Sequence, residues 1–471
     1  MNYTGWLIFF LYLVVLQGIG LYAAQKKETF EDYFRGNGNL PWWAICFSIV
    51  ATETSSLTFI SIPAVAYTGD LGFLQIALGY ILGRIAVALF FLPRYFAGKI
   101  ETVYQFLEHR YNTSMRRMAA LLFAVTRVLS DGVRLFATAI PLALLTGWSY
   151  ELCIIAFVLA TIPYTLAGGI RSVVWTDTMQ MAVYLGGGIG VSFFLQSTIS
   201  EIPLQKFTFI TSGLEPDLSQ FFFKPYNLFA GILGGGILTL FTHGTDQLTV
   251  QRLLAAASLR DSQKALITSG LIVFAQFFLF LFLGLQLFVF FNGRQFSSPD
   301  AIFPEFILNH LPVVFKAVII AAIFASAQST LSSTLNALAS SSMLDLFPAL
   351  KKLTEKSKLR YSRSLTAFWA FVLIIVSLSF QDQKSPMVIL GLKIASVPAG
   401  GIIALYLLGF SRIATAPALT GFAGSLVAMV YIVFFTKLAW TWYAPLGMII
   451  ALLIALLTTL ISGVRRVPAG S

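Results

Sequence analysis

The stretch SAQSTLSSTLNALASSSMLDL, residues 326–346, carries a row of hydroxyl side chains at the end of a long apolar run. On a helix, intervals of three and four residues place four of these hydroxyls on one face: Ser326, Ser329, Thr330 and Ser333. Inside a bilayer each hydroxyl requires a partner, which a neighbouring helix or the carbonyls of its own helix supply. The alternative partner is a small hard cation held by hydroxyl and carbonyl oxygens. This stretch alone leaves both interpretations open.

The composition is typical of a polytopic helical membrane protein. Of 471 residues, 57% are hydrophobic and 11% are charged, whereas soluble domains carry about 25% charged residues. The mean hydropathy is +0.82. The net charge of +11 comes from basic residues in short loops, so it indicates orientation in a membrane and no nucleic-acid partner.

Thirteen apolar segments are long enough to cross a bilayer, which takes about 20 residues. The predicted spans are 4–24, 41–67, 71–97, 116–146, 150–167, 173–198, 227–255, 264–291, 312–346, 364–381, 386–409, 413–436 and 441–462. Lys and Arg concentrate in alternate loops, which we expect to be cytoplasmic. We therefore expect a multi-pass protein of the cell (plasma or inner) membrane, with its N-terminus outside and its C-terminus in the cytoplasm.

Two of these spans, the second and the seventh, are interrupted by polar residues, proline or glycine. The interruptions are 52–56 and Pro63 in span 41–67, and 234–236, Thr242, His243, Gly244 and Asp246 in span 227–255. Paired interruptions of this kind indicate an inverted-repeat transporter, in which the freed backbone groups face an ion or solute. The alternative is a pair of ordinary kinks whose polar groups are satisfied by neighbouring helices.

Four motifs resemble those of the sodium:solute symporter family, whose members carry sugars, proline, pantothenate, monocarboxylates or sialic acid. They are ATETSSLTF at 51–59, AGGIRSVVWTDTMQ at 167–180, GTDQLTVQR at 244–252 and STLSSTLNALASSSMLDLF at 329–347. The resemblance covers essentially the whole chain. It implies an all-α membrane protein with two five-helix inverted repeats of the leucine-transporter type.

The resemblance also implies how the chain is divided. Residues 41–198 and 227–409 would form the two repeats. A leading helix and loop would occupy 1–40, an extracellular loop 199–226, and two accessory helices with a short cytoplasmic tail 410–471.

Matching positions imply a first sodium site at the break of span 41–67. Its ligands would be the carbonyls of Ala51, Thr54 and Ser326 and the hydroxyls of Ser329 and Thr330. Five neutral oxygens suit Na⁺, which is the implied cofactor.

Some members of the family hold a second sodium nearer the cytoplasm. The residues here that match its ligands are Asp177, Ser329, Ser332 and Ser333. An aspartate inside a span is costly and requires a counter-ion. The other interpretation is therefore a structural pairing of Asp177 with Arg171 or another cytoplasmic arginine.

The family binds its solute between the two interruptions and the neighbouring spans. The matching candidates are Glu53, Ser55, Ser56, Thr58, Gln75, Thr242, Asp246 and Lys393. Sugar carriers often have Asn at the position of Glu53 and Gln at that of Thr58, so this chain departs from the pattern for glucose or galactose. We expect a small polar organic solute, carboxylate-bearing or sugar-like.

Glu53 is an intramembrane carboxylate and needs a partner. Lys393 is the first candidate, and Arg84, deep in the third span, is the second. A further alternative is that Glu53 binds a proton, which would couple transport to H⁺, or binds a cationic solute.

The fourth span adds Arg127, Asp131 and Arg134, whose spacings of four and three allow an Arg–Asp–Arg network on one helix face. Either these charges fix helix packing, or Lys393 or Arg134 has charge to spare for a substrate carboxylate.

The sequence therefore predicts a sodium-coupled symporter that works by alternating access, with a small solute, Na⁺ and the lipid bilayer as partners. It shows no nucleophile constellation or phosphate-binding glycine loop, so we expect no enzyme. A proton-coupled symporter and a non-transporting sensor are the alternatives. A sensor normally carries a soluble signalling domain, whereas the sequence ends at Ser471, just after the last predicted span. An oligomeric state is not specified.

Overall fold

The computed structural model describes residues 3–24, 29–54, 56–199, 201–210, 218–380, 387–411 and 413–462. Within these residues the protein is built from twenty α-helices. They are α1 (Tyr3–Ala23), α2 (Phe30–Arg35), α3 (Trp42–Glu53), α4 (Ser56–Thr68), α5 (Leu74–Ala86), α6 (Leu92–Ala97), α7 (Val103–Arg110), α8 (Thr113–Thr146), α9 (Tyr150–Gln196), α10 (Leu218–Phe223), α11 (Gly235–Thr239), α12 (Gln247–Leu254), α13 (Leu259–Phe290), α14 (Ile302–Asn309), α15 (Val313–Ser341), α16 (Glu355–Leu378), α17 (Met387–Ser396), α18 (Ala399–Phe410), α19 (Thr415–Phe435) and α20 (Tyr443–Ser462).

Among the described residues, nine helices are long and apolar enough to cross a membrane, or ten if the bent pair α3 and α4 counts as one span. The 47 residues of α9 would be about 70 Å long at 1.5 Å per residue, more than twice a hydrocarbon core. The backbone leaves helical geometry inside it at Gly168 and Gly169, between the predicted spans 150–167 and 173–198. The count of thirteen spans remains a prediction.

Both interrupted spans are broken where the sequence predicts. The helix α3 ends at Glu53, the backbone of Thr54 is extended, and α4 follows after a bend of 65°. Two π-helical segments flank α11, and the backbone is extended again at Asp246 before α12 begins. Because helix ends leave backbone groups without an intrahelical partner, each break offers polar groups to the interior.

The helix α15, which carries the hydroxyl stripe, lies in the centre of the protein. Every residue from 319 to 341 is buried, and α15 packs against α9, α1, α8, α16 and α3. The peripheral helices α1, α19 and α20 instead expose large apolar side chains: Leu7 is 68% exposed, Val427 73% and Ile461 86%. Such a surface suits lipid, whereas the hydroxyls of α15 lie in the interior of the protein.

Candidate functional site

A small buried chamber, lined mostly by residues with polar side chains, lies where the break after α3 meets α9 and α15. Its lining residues are Ala51, Thr54, Gln180, Met181, Tyr184, Gln276, Ser326 and Ser329. The volume of about 10 Å³ is that of about one water molecule, and hence of a small monovalent cation. Four of the five residues predicted for the first sodium are thus brought together.

Thr330, the fifth predicted ligand, lies beside a neighbouring cavity. It lines this cavity together with Asp131, Arg134 and Thr138. Its hydroxyl donates to the carbonyl of Ser326 at 3.2 Å. Successive residues of a helix are turned by about 100°, so a side chain directly after Ser329 points to a different helix. In this conformation the structure does not place Thr330 in the chamber.

The residues predicted for a second sodium adjoin the first chamber and are fully buried. The hydroxyl of Ser329 donates to Asp177 Oδ1 at 2.7 Å, and that of Ser332 donates to the carbonyl of Ser329 at 3.1 Å. Arg252 donates to the hydroxyl of Ser333, and its Nη2 lies 3.3 Å from Asp177 Oδ2. The carboxylate therefore has a cationic partner already.

Ser48 and Thr52 of α3 complete this cluster. The hydroxyl of Ser48 donates to Asp177 Oδ2 at 2.5 Å and accepts from Arg252 Nε at 2.8 Å. The hydroxyls of Thr52 and Ser333 are 3.0 Å apart. The sequence analysis missed all three partners, although Arg252 ends the motif GTDQLTVQR and Thr52 lies in ATETSSLTF. The alternative that Asp177 pairs with an arginine is confirmed, with Arg252 rather than Arg171.

A larger cavity of about 310 Å³ opens between the two breaks. The predicted solute residues that line it are Glu53, Thr58, Thr242 and Asp246. Ser55 and the side chain of Ser56 lie outside the described part of the chain. Lining residues that the sequence analysis did not assign to the solute site include Tyr80, Arg127 and His243. A cavity that is partly apolar and bears a few convergent charges is a typical solute site.

Two further candidates for the solute lie away from this cavity, although both belong to the described residues. Gln75 is buried, and its amide donates to the carbonyls of Gly72 at 3.2 Å and Tyr226 at 3.4 Å. The ammonium of Lys393 lies 5.7 Å from the centre of the Phe434 ring. The neighbours of Lys393 on α17 face the cavity, and helical rotation carries Lys393 itself toward α19.

Glu53 is paired with Arg84, so the first candidate partner, Lys393, was wrong and the second was right. Arg84 donates through Nη2 to Glu53 Oε2, and the same carboxylate oxygen lies 3.7 Å from His243 Nε2. The other ring nitrogen of His243 is 2.8 Å from the hydroxyl of Thr242. Arg84 is completely buried, whereas 23% of the Glu53 side chain is exposed to the cavity.

The predicted Arg–Asp–Arg network on α8 forms, and the break at Asp246 joins it. Arg127 and Arg134 each approach Asp131 to 3.6 Å, and Arg127 also donates to Asp246. The hydroxyl of Thr334 donates to Asp131 at 2.5 Å. Arg134 is the least engaged member: within the described residues its guanidinium has only the 3.6 Å contact, and 37% of its side chain is exposed.

Two broken helices around a small buried chamber and a solute-sized cavity define a membrane transporter of the leucine-transporter type. The model of the Sodium:solute symporter family matches residues 33–428. The chain therefore belongs to this family: it is a multi-pass, sodium-coupled transporter and not an enzyme.

Two similar relatives are the sodium/sialic acid symporters of Aliivibrio fischeri and Proteus mirabilis. The first is 28% identical over 481 aligned positions, covering 95% of this chain and 91% of the relative. The second is 31% identical and covers 74% of this chain and 72% of the relative. A solved structure of a Na⁺-coupled sialic acid symporter, substrate-bound and outward-open, superposes with a TM-score of 0.87 at 25% identity, with 99% of both chains covered.

Proposed function

We propose that this protein imports a small polar organic solute that bears a carboxylate, such as a sialic acid or another sugar acid, together with Na⁺ by alternating access. The observation that supports this proposal most directly is the position of Ser329, which lines the small chamber beside the break after α3, next to a solute-sized cavity. A cation bound there would fix the position of the broken helix and so connect ion binding to the shape of the cavity.

The first sodium site consists of the carbonyls of Ala51, Thr54 and Ser326 and the hydroxyl of Ser329. The chamber between them has the volume of one small ion. Neutral oxygens hold Na⁺ without trapping it, which a transport cycle requires because the ion must be released. Thr330 would join this set only if its side chain turned away from Asp131 and Arg134.

The carboxylate of the solute binds to Arg134. Arg134 lines the cavity, and among the described residues its guanidinium has only one long contact, with Asp131. Arg127, which also lines the cavity, is held by a short contact with Asp246. Arg84 is buried behind the cavity lining and is paired with Glu53. Arginine binds carboxylates with paired, charge-assisted hydrogen bonds. Glu53, on the same cavity, offers an acceptor for solute hydroxyls.

The pairing of Glu53 with Arg84 favours sodium over proton coupling. A proton on Glu53 would leave the buried guanidinium of Arg84 without a counter-ion, which costs about 3–5 kcal/mol. We therefore assign Glu53 a structural and solute-binding role. The same proposal includes the two five-helix repeats at 41–198 and 227–409 and the predicted orientation of the termini. It also includes a second sodium at Asp177, Ser332 and Ser333.

Uptake into proteoliposomes tests the function. The panel contains sialic acids, neutral sugars, sugar acids, monocarboxylates and amino acids, each with and without an inward Na⁺ gradient. We expect sodium-dependent uptake of a carboxylate-bearing solute, and in Ser329→Ala a much lower uptake at a Na⁺ concentration that half-saturates the natural protein. Ser425→Ala is the matched control, because Ser425 is equally buried but donates to Gly447 on the accessory helices. Uptake driven by a pH gradient without Na⁺ would overturn the proposal.

A further inference from the structure

The buried cluster around Asp177 contains a positively charged side chain, the guanidinium of Arg252. Arg252 is 1% exposed and Asp177 is fully buried. The guanidinium makes four hydrogen bonds, with the hydroxyls of Ser48 and Ser333, the carbonyl of Leu248 and the carboxylate of Asp177. No other acidic side chain among the described residues forms an ion pair with Arg252.

These contacts involve two of the groups that a second sodium would need. Arg252 contacts Asp177 Oδ2 and the hydroxyl of Ser333, so Na⁺ among Asp177, Ser329, Ser332 and Ser333 would have to share this carboxylate and this hydroxyl with the guanidinium. Ser329 and Ser332 leave lone pairs for an ion, because each acts as a hydrogen-bond donor here. Asp177 and Ser333 are the two residues that both cations would contact.

The charges make the two cations mutually exclusive. One carboxylate neutralises one monovalent cation, and Asp177 is the acidic group of this cluster. With both Arg252 and Na⁺ in contact with it, a buried positive charge would remain uncompensated. Exchanging one cation for the other keeps the buried charge constant.

We propose that Arg252 is a tethered cation that competes with the second Na⁺ for Asp177 and Ser333. This proposal rests on the proposed function, since it assumes a sodium-coupled carrier. Na⁺ binds at this position only when the guanidinium leaves Ser333. Arg252 is carried by α12, which begins at the second break. When Arg252 moves away from Ser333, α12 is expected to move with it. Binding of Na⁺ at the second site is therefore coupled to the position of α12, the helix that follows the second break.

The test is equilibrium binding of ²²Na⁺ to the purified full-length protein, with choline as the replacement cation. In Arg252→Gln the competing charge is absent, so we expect the weaker of two Na⁺ sites to tighten by about tenfold or more. In Arg252→Lys, which keeps the charge, this site should remain as weak as in the natural protein. Adding Asp177→Asn to Arg252→Gln should abolish the second site.

Arg116→Gln is the matched control. Arg116 is also a buried arginine, ion-paired with the buried Asp345, but it lies outside the cluster around Asp177. It should leave Na⁺ binding unchanged. Equal Na⁺ affinities in Arg252→Gln and the natural protein would overturn the competition. Absence of Na⁺ binding in every variant and in the natural protein would instead overturn the proposed function, and the competition with it.

If Arg252→Gln does not fold, a second variant tests the same proposal. Asp177→Asn in the otherwise natural protein removes the attraction for both cations. If Arg252 holds the position, the tighter Na⁺ site keeps its affinity and only the weaker one is lost. A loss of the tighter site in this variant would contradict the proposal, because Na⁺ and not Arg252 would then be the ordinary partner of Asp177.

Discussion

Arg84 and Glu53 form an ion pair that joins α5 to the break after α3. Arg84 is completely buried, and within the described residues its Nε and Nη1 have no hydrogen-bond partner. Glu53 is consequently the one carboxylate that neutralises it among those residues, while the exposed part of Glu53 faces the cavity. The same carboxylate thus holds a helix break in place and forms part of the solute site.

Glu53→Gln should destabilise the protein by about 3–5 kcal/mol, because it leaves the charge of Arg84 buried and unpaired. Thermal unfolding in detergent measures this loss. Replacing both residues, as Glu53→Gln with Arg84→Met, should recover most of the stability, since a pair of neutral side chains removes the stranded charge. A double variant no more stable than Glu53→Gln would contradict the pairing.

Arg134→Gln should raise the KM for a carboxylate-bearing solute at least tenfold, because about 1.5–3 kcal/mol of charge-assisted hydrogen bonding is lost. Sodium-driven uptake kinetics measure it. Arg117→Gln is the control on the same helix, since Arg117 is exposed and lies far from the cavity-lining segment. The KM for an amide or ester of the solute, which lacks the carboxylate charge, should change little in either variant. An unchanged KM in Arg134→Gln would exclude this residue as the anchor of the carboxylate.

Ser329→Ala and Thr330→Val should differ in their effect on sodium. Ser329 lines the small chamber and Thr330 lines the neighbouring cavity. We expect the half-saturating Na⁺ concentration to rise about tenfold or more in Ser329→Ala, because one ligand is lost at a cost of about 1.5 kcal/mol, and to rise much less in Thr330→Val. Equal effects would show that Thr330 turns into the chamber when Na⁺ binds.

Gly284→Ala should disturb the packing of α13 against α4. A Cβ at Gly284 would lie 2.0 Å from the carbonyl oxygen of Pro63, so one helix must move, which typically costs about 1–3 kcal/mol. Gly186→Ala on α9 is the matched control, because nothing lies within 4 Å of its Cβ position. There alanine should stabilise the helix by about 0.5–1 kcal/mol. Thermal unfolding of the two variants compares them directly, and a lower stability of Gly186→Ala would be contrary to expectation.

Several features could be predicted because they depend on local chemistry. The apolar runs predict the helices, and the polar residues 52–56 predict the break of the second span. The spacing of Arg127, Asp131 and Arg134 predicts their network, since residues three and four apart on a helix are neighbours. Partners distant in the chain were harder to predict. Lys393 was chosen for Glu53 as a basic residue of the opposite repeat, whereas α17 turns this side chain toward Phe434.

The sequence by itself determined the class of the protein, because hydropathy and the positions of glycine, proline and hydroxyl residues act within a single helix or between neighbouring turns. Only the tertiary structure decided which charges meet. Arg252 is 75 positions from Asp177 and Arg84 is 31 positions from Glu53, and no local pattern distinguishes these pairs from other combinations. Burial makes the choice, since an arginine enclosed by packed helices must have a carboxylate within reach, and the packing of the helices determines which one that is.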